Sequence, residues 1–130
     1  HVLEPLCGYL NLAEKLFLYE NAAWQSSFNF GPESTDCRSV KDLVECSLNH
    51  WQGSWKDESN PKDPLEAQFL SLSIKKAGKE LGWRPRWNFE KSVEQTITWY
   101  LDVMENRRSA IKVCEEQLLN FQTQSSAGNK

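Results

Sequence analysis

The stretch Leu81-Gly82-Trp83-Arg84-Pro85-Arg86-Trp87 (LGWRPRW) decides how this chain is divided, because it either grips a ligand or joins two helices. Its parts favour the joint. Ile74, Ala77 and Leu81 recur at helical spacing up to it, with Ser73 placed to cap that helix. Gly82 falls where a left-handed residue closes a helix, and Trp83 is placed to fold back on the last turn. Pro85 lacks an N–H and forbids continuation. Arg84 and Arg86 flank it and can reach a carbonyl-rich helix end or stack on Trp87.

Downstream, Asn88 is a cap for a longer helix with Phe89, Val93, Ile97, Tyr100, Leu101 and Met104 on its buried side. After the Arg107-Arg108 pair, Ile111, Cys114, Leu118 and Phe121 repeat at steps of three and four, so a further helix follows or the same one continues. From residue 122 the sequence QTQSSAGNK has no apolar content and reads as disordered.

Upstream, Pro5 opens an amphipathic helix whose apolar face is Leu6, Tyr9, Leu10, Ala13 and Phe17, ending near Tyr19 or Asn21. In WQSSFNFGP, Phe28 and Phe30 alternate with polar neighbours before Gly31-Pro32, as in a short strand feeding a loop. Ser39 and Asp42 stand at capping spacing before a helix with Val40, Leu43, Val44 and Leu48 on one face, and Gly53 is its natural stop. The turn-rich DESNPKDP precedes EAQFLSLS, which reads as a strand of imperfect alternation. Helices and strands thus mix in an α/β order without internal repeats.

The 130 residues, 39% of them hydrophobic, suffice for one core and not comfortably for two. A net charge of -3 with interleaved signs argues against nucleic acid. No apolar run approaches the ~18 residues of a membrane span. Cys7, Cys37, Cys46 and Cys114 lack the close spacings of metal or redox sites and read as reduced thiols of a cytoplasmic protein.

Catalytic machinery is sparse. The six glycines nowhere form a dinucleotide-binding turn or a P-loop. His50 ends a helix with no Ser or Cys partner in any local pattern, and Tyr9, Tyr19 and Tyr100 lack a lysine four residues on. Glu115-Glu116 lie on a solvated face. No residue is assigned to catalysis or to a metal.

HVLEPLCGYLNLAEKL, FNFGP, EAQFLSLSIKKAGKELGWRPRW and SVEQTITWY, taken in order, resemble the carboxyl-terminal part of the CDP-glucose 4,6-dehydratases, which are extended short-chain dehydrogenases/reductases. The resemblance covers about residues 1 to 101. It implies an enzyme that uses bound NAD to convert a CDP-hexose to its 4-keto-6-deoxy form. In that family the cofactor and the acid–base residues belong to a Rossmann domain that this chain lacks, so no NAD is expected on this chain alone. The implied fold is a small helix-rich substrate-binding domain of the α/β class, over residues 1–104, followed by a helical extension over 105–121 and the tail.

Against the family pattern, Pro64, Glu66, Ala67, Leu70 and Leu72 match, whereas Leu65, Gln68, Phe69, Ser71 and Ser73 depart. The resemblance places Glu66 to accept bonds from the ribose hydroxyls of a CDP-sugar. Gln68 retains hydrogen-bonding capacity without a titratable ring. His1 falls near the substrate phosphates. Partners implied are the CDP-sugar and either the Rossmann domain of a parent enzyme or a second copy, since an exposed apolar face of several hundred Å2 is expected. The alternative is a non-catalytic protein-interaction module derived from such an enzyme.

Overall fold

The computed structural model describes residues 1–58 and 71–124. Four α-helices carry it: α1 Leu3–Leu18, α2 Val40–Leu48, α3 Phe89–Met104 and α4 Ala110–Gln124. A π-helical turn at Ala77–Leu81 and short 3-10 turns at Ala22–Trp24 and Ser34–Asp36 fill the connections. Helix α1 packs on the π turn, α2 on α3, and α3 on α4.

The LGWRPRW joint forms as its residues dictate. Gly82 adopts φ 66° and ψ 15°, the left-handed conformation that a Cβ disfavours. The Trp83 amide then donates back to the Ala77 carbonyl at 3.2 Å, and the Trp83 ring is buried. Carbonyls left open at the end of the π turn are taken by side chains: Asn11 Nδ2 donates to Leu81 O, and Trp24 Nε1 donates to Glu80 O, each at 3.2 Å. Arg86 reaches a helix end as expected, but it is the end of α4, where it donates to Phe121 O at 3.2 Å and lies 4.6 Å over the Phe121 ring. Arg84 pairs instead with Glu33 at 3.1 Å.

Two of the three N-terminal caps read from the sequence also form, whereas the turn at Ala77–Leu81 starts at Lys76 without the side-chain cap expected from Ser73. Ser39 and Asp42 make a reciprocal capping box on α2, and Asn88 accepts from Lys91 N at 2.9 Å on α3. Helix α2 ends at Asn49, before Gly53, because Asn49, His50 and Trp51 return their amides to the Cys46 and Ser47 carbonyls. Between α3 and α4, Asn106 takes φ 53°, which breaks the helix in two. Helix α4 continues to Gln124, three residues beyond the expected end of order, while residues 125–130 lie outside the described set.

No strand occurs among the described residues, so the α/β expectation is corrected there to a helix-rich fold. Phe28 and Phe30 do alternate inward with Asn29 outward, but among the described residues no second strand pairs with them. Lys76 Nζ takes the place of a ladder partner, donating to Ser27 O at 2.9 Å and to Ser26 Oγ at 2.7 Å. The two rings pack around Ala77, Leu81 and Trp83. Of the second expected strand, residues 66–70 lie outside the described set and Ser71–Ser73 are irregular.

Two helices are rotated away from their expected faces. Helix α4 buries Val113, Gln117 and Phe121 in place of Ile111, Cys114 and Leu118. Its rotation is set by Gln117 Nε2, which donates to Gln95 O at 2.6 Å, and by the edge contact of Phe121 with Trp87 at 5.0 Å. On α3, Val93 is buried as expected but Tyr100 and Met104 are exposed.

Helix α1 is the larger departure. It buries Glu4 and Gly8, while Leu6, Tyr9, Leu10, Ala13 and Phe17 face solvent. Two contacts impose this. The Phe30 ring covers Gly8, where an added Cβ would sit 2.3 Å from the nearest ring carbon. Glu4 Oε1 accepts the amides of Arg86 at 2.9 Å and Trp87 at 2.8 Å, tying the helix to the LGWRPRW joint.

Candidate functional site

Two adjacent concavities flank the start of α3. The first, about 470 Å3, is bounded by His1, Glu4 and Pro5 from the start of α1 and by Trp87, Ser92 and Thr96 from the joint and α3. His1 stands edge-on to the buried Trp87 ring with centroids 4.9 Å apart, and its Nδ1 accepts from Leu3 N at 3.3 Å. The ring is thereby held by local geometry, since the HVLEP segment turns directly into α1. His1 also borders a smaller cavity of about 350 Å3 with Trp99, Tyr100 and Gln117.

The second concavity, about 530 Å3, opens between the loop before α2 and Ser71. Arg38 is its cationic group. Its guanidinium lies 5.5 Å over the Phe89 ring, donates to Thr35 O at 2.7 Å, and stands 3.9 Å from the Asp36 carboxylate and 3.8 Å from that of Glu90. Those ion pairs are long, hence weak. The guanidinium is held chiefly by the Thr35 carbonyl and the Phe89 ring. Asp42 at the adjacent cap is held below its usual carboxylate range chiefly by the hydrogen bonds from the Ser39 side chain and backbone.

Pro32, Asp36, Leu43 and Phe89 form a wall common to both concavities. The three expected binding residues divide accordingly. His1 lines the first, whereas Glu66 and Gln68 lie outside the described residues. Ser71, three positions after Gln68, lines the second. Sequence reading did not single out Arg38. Its signal was modest: an arginine immediately before a Ser-initiated helix in a loop that also holds Gly31-Pro32.

Neither concavity contains a developed catalytic group. His50 is exposed just after the end of α2 and lines neither concavity, and burial, with a smaller contribution from Glu90, raises the Cys46 thiol above its usual range, keeping it protonated. All four cysteines are free. A nicotinamide dinucleotide needs a Gly-rich turn between strand and helix N-terminus, and the described residues do not fit one: Gly8 is covered by Phe30 and Gly82 stands alone as a helix cap. No helix among the described residues is long and apolar enough to cross a membrane.

The described residues thus form a helix-rich unit with concavities around the start of α3. Comparison with known proteins supports the resemblance that its motifs suggest. The chain is 35% identical over 102 residues to CDP-glucose 4,6-dehydratase of Salmonella typhimurium (strain LT2). The match takes in 77% of this chain and spans only 28% of that enzyme's length. No protein-family profile matches the chain.

Proposed function

We propose that this chain is the substrate-side part of an NAD-dependent CDP-glucose 4,6-dehydratase, a lyase of the cytoplasm that converts CDP-glucose to CDP-4-keto-6-deoxyglucose. The 35% identity over 102 residues carries this reading. In it, residues 1–104 form the substrate-binding unit and 105–121 a helical extension. Glu66 accepts from the ribose hydroxyls, Gln68 adds a neutral hydrogen bond, and His1 lies toward the diphosphate. The cleft bordered by Ser71 supports the assignment, because it brings the Arg38 guanidinium to the end of the segment that carries Glu66 and Gln68. Hydride transfer and proton transfer belong to a Rossmann partner, and this chain contributes binding and orientation.

The test is thermal melting of the chain with millimolar CDP-glucose, CDP and dTDP-glucose. Stabilisation follows RT ln(1 + [L]/Kd), so a weak site shows ~1 kcal/mol at a few times Kd. Both CDP ligands should raise Tm more than dTDP-glucose does, and Glu66→Ala should remove the shift while leaving the unliganded Tm in place. Absence of a shift with every ligand would sink the binding role. A second reading, a protein-interaction module, is favoured by one observation: the outward apolar face of α1.

A further inference from the structure

Helix α4 lies outside the motifs that carry the family resemblance, none of which passes Tyr100, yet it is built into the candidate site. Cys114 and Gln117 wall the cavity of about 350 Å3 that His1 borders from the start of the chain. Two anchors one helical turn apart hold the helix there. Gln117 Nε2 donates to Gln95 O at 2.6 Å, and Phe121 O accepts from Arg86 at 3.2 Å while the same guanidinium lies 4.6 Å over the Phe121 ring. Residues four apart share a helix face, so these anchors together fix both the rotation of α4 and its position along α3.

Through Phe121, α4 also fixes Trp87. The Trp87 backbone amide is tied to Glu4 Oε1, but its buried indole Nε1 has no acceptor among the described residues, so no hydrogen bond orients the ring. Packing sets its direction instead: an edge contact with Phe121 at 5.0 Å and 85°, and another with His1 at 4.9 Å and 60°. On the other side of the imidazole, Leu3 N donates to Nδ1 at 3.3 Å, which leaves the ring proton on Nε2. His1 is thus held between its own helix start and a tryptophan that α4 keeps in place.

We propose that α4 is a positioning element of the substrate site, with Phe121 as the positioning residue: by fixing the Trp87 indole it sets the orientation in which His1 offers its Nε2–H donor to the ligand. Phe121 lines none of the three cavities, so it acts only through Trp87. The role of α4 rests on His1 facing the substrate, as in the function proposed above. The orientation of the His1 ring, however, is measured without nucleotide, so the two readings fail separately.

NMR of the full chain reads the His1 ring directly, with the exposed His50 as the reference for an unconstrained imidazole. The parent chain should show His1 ring protons displaced by the Trp87 ring current, with NOEs from His1 to Trp87 and from Trp87 to Phe121. Phe121→Leu should move the His1 resonances toward those of His50, and Phe121→Tyr, which keeps the ring, should restore them. Leu119→Ala, at an exposed position on the same helix, should leave them unaltered. Circular dichroism confirms that each variant keeps its helices, and if Phe121→Leu does not, the NOEs of the parent chain decide. His1 resonances that are the same in Phe121→Leu as in the parent, missing NOEs, or an equal displacement by Leu119→Ala would overturn the proposal. CDP-glucose should bind Phe121→Leu about threefold more weakly, the size of one aromatic pair. Unchanged affinity beside a displaced His1 would also overturn the positioning role, whereas no binding by the parent chain would sink the CDP-sugar reading alone.

Discussion

Glu4 is the point at which the first helix is locked to the second half of the chain, so replacing it probes the fold most directly. Its side chain is only 7% exposed, and Oε1 alone accepts two amides, those of Arg86 and Trp87. The second oxygen, Oε2, is buried without a donor among the described residues. Glu4→Ala leaves two amides without an acceptor. Each such group costs roughly 1–3 kcal/mol, and since Arg86 N is partly buried a total of about 3 kcal/mol is expected. Against a domain stability of about 5–15 kcal/mol this is severe. With unfolding entropy near 2.1 cal/mol/K per residue, it lowers Tm by about 10 °C.

Glu4→Gln separates geometry from charge. The amide oxygen can still accept both bonds, and the neutral group removes a buried charge while weakening the charge-assisted contacts, so a loss within about 1 kcal/mol is expected. Calorimetry of the three proteins, with hydrogen exchange at the Trp87 amide, reads both effects. Protection at that amide should collapse in Glu4→Ala and persist in Glu4→Gln. If both variants melt within about 3 °C of the parent, or if they lose stability equally, the lock is misassigned.

Two further predictions concern local determinants. Gly8→Ala should lower stability by about 1–2 kcal/mol, since its Cβ would meet three carbons of a Phe30 ring already confined by Trp83, and this outweighs the better helix propensity of Ala; a raised Tm in a melt would contradict it. Asp42 has a folded-state pKa depressed below its ordinary value of 3.8, so its stabilisation of α2 is present above that value and lost as pH falls below it. In a pH titration of stability, Asp42→Asn should flatten the decline below about pH 4, and an unchanged acid limb would rule out the capping box as its source.

Much of the chain's local architecture was legible without its fold. The ends of helices rest on contacts a few residues apart, and the chemistry of Gly82, Ser39 and Asn88 reports on their own neighbours. The alternation at Phe28 and Phe30 was also real, but alternation states only that two rings face inward. Whether the extended backbone joins a sheet depends on another segment, and here a lysine side chain meets its polar groups. Of the residues expected to bind substrate, His1 lies at a cavity edge, while Arg38 carried too little local pattern to be distinguished from a surface arginine.

The sequence by itself determined the caps at Ser39, Gly82 and Asn88 and that α1 has one apolar face, because capping and periodicity are short-range properties. Only the tertiary structure decided which way that face points. A hydrophobic stripe must be covered, yet its periodicity is blind to what covers it. In this chain a buried carboxylate on two amides and a glycine beneath an aromatic ring turn the polar face of α1 inward and the apolar one outward.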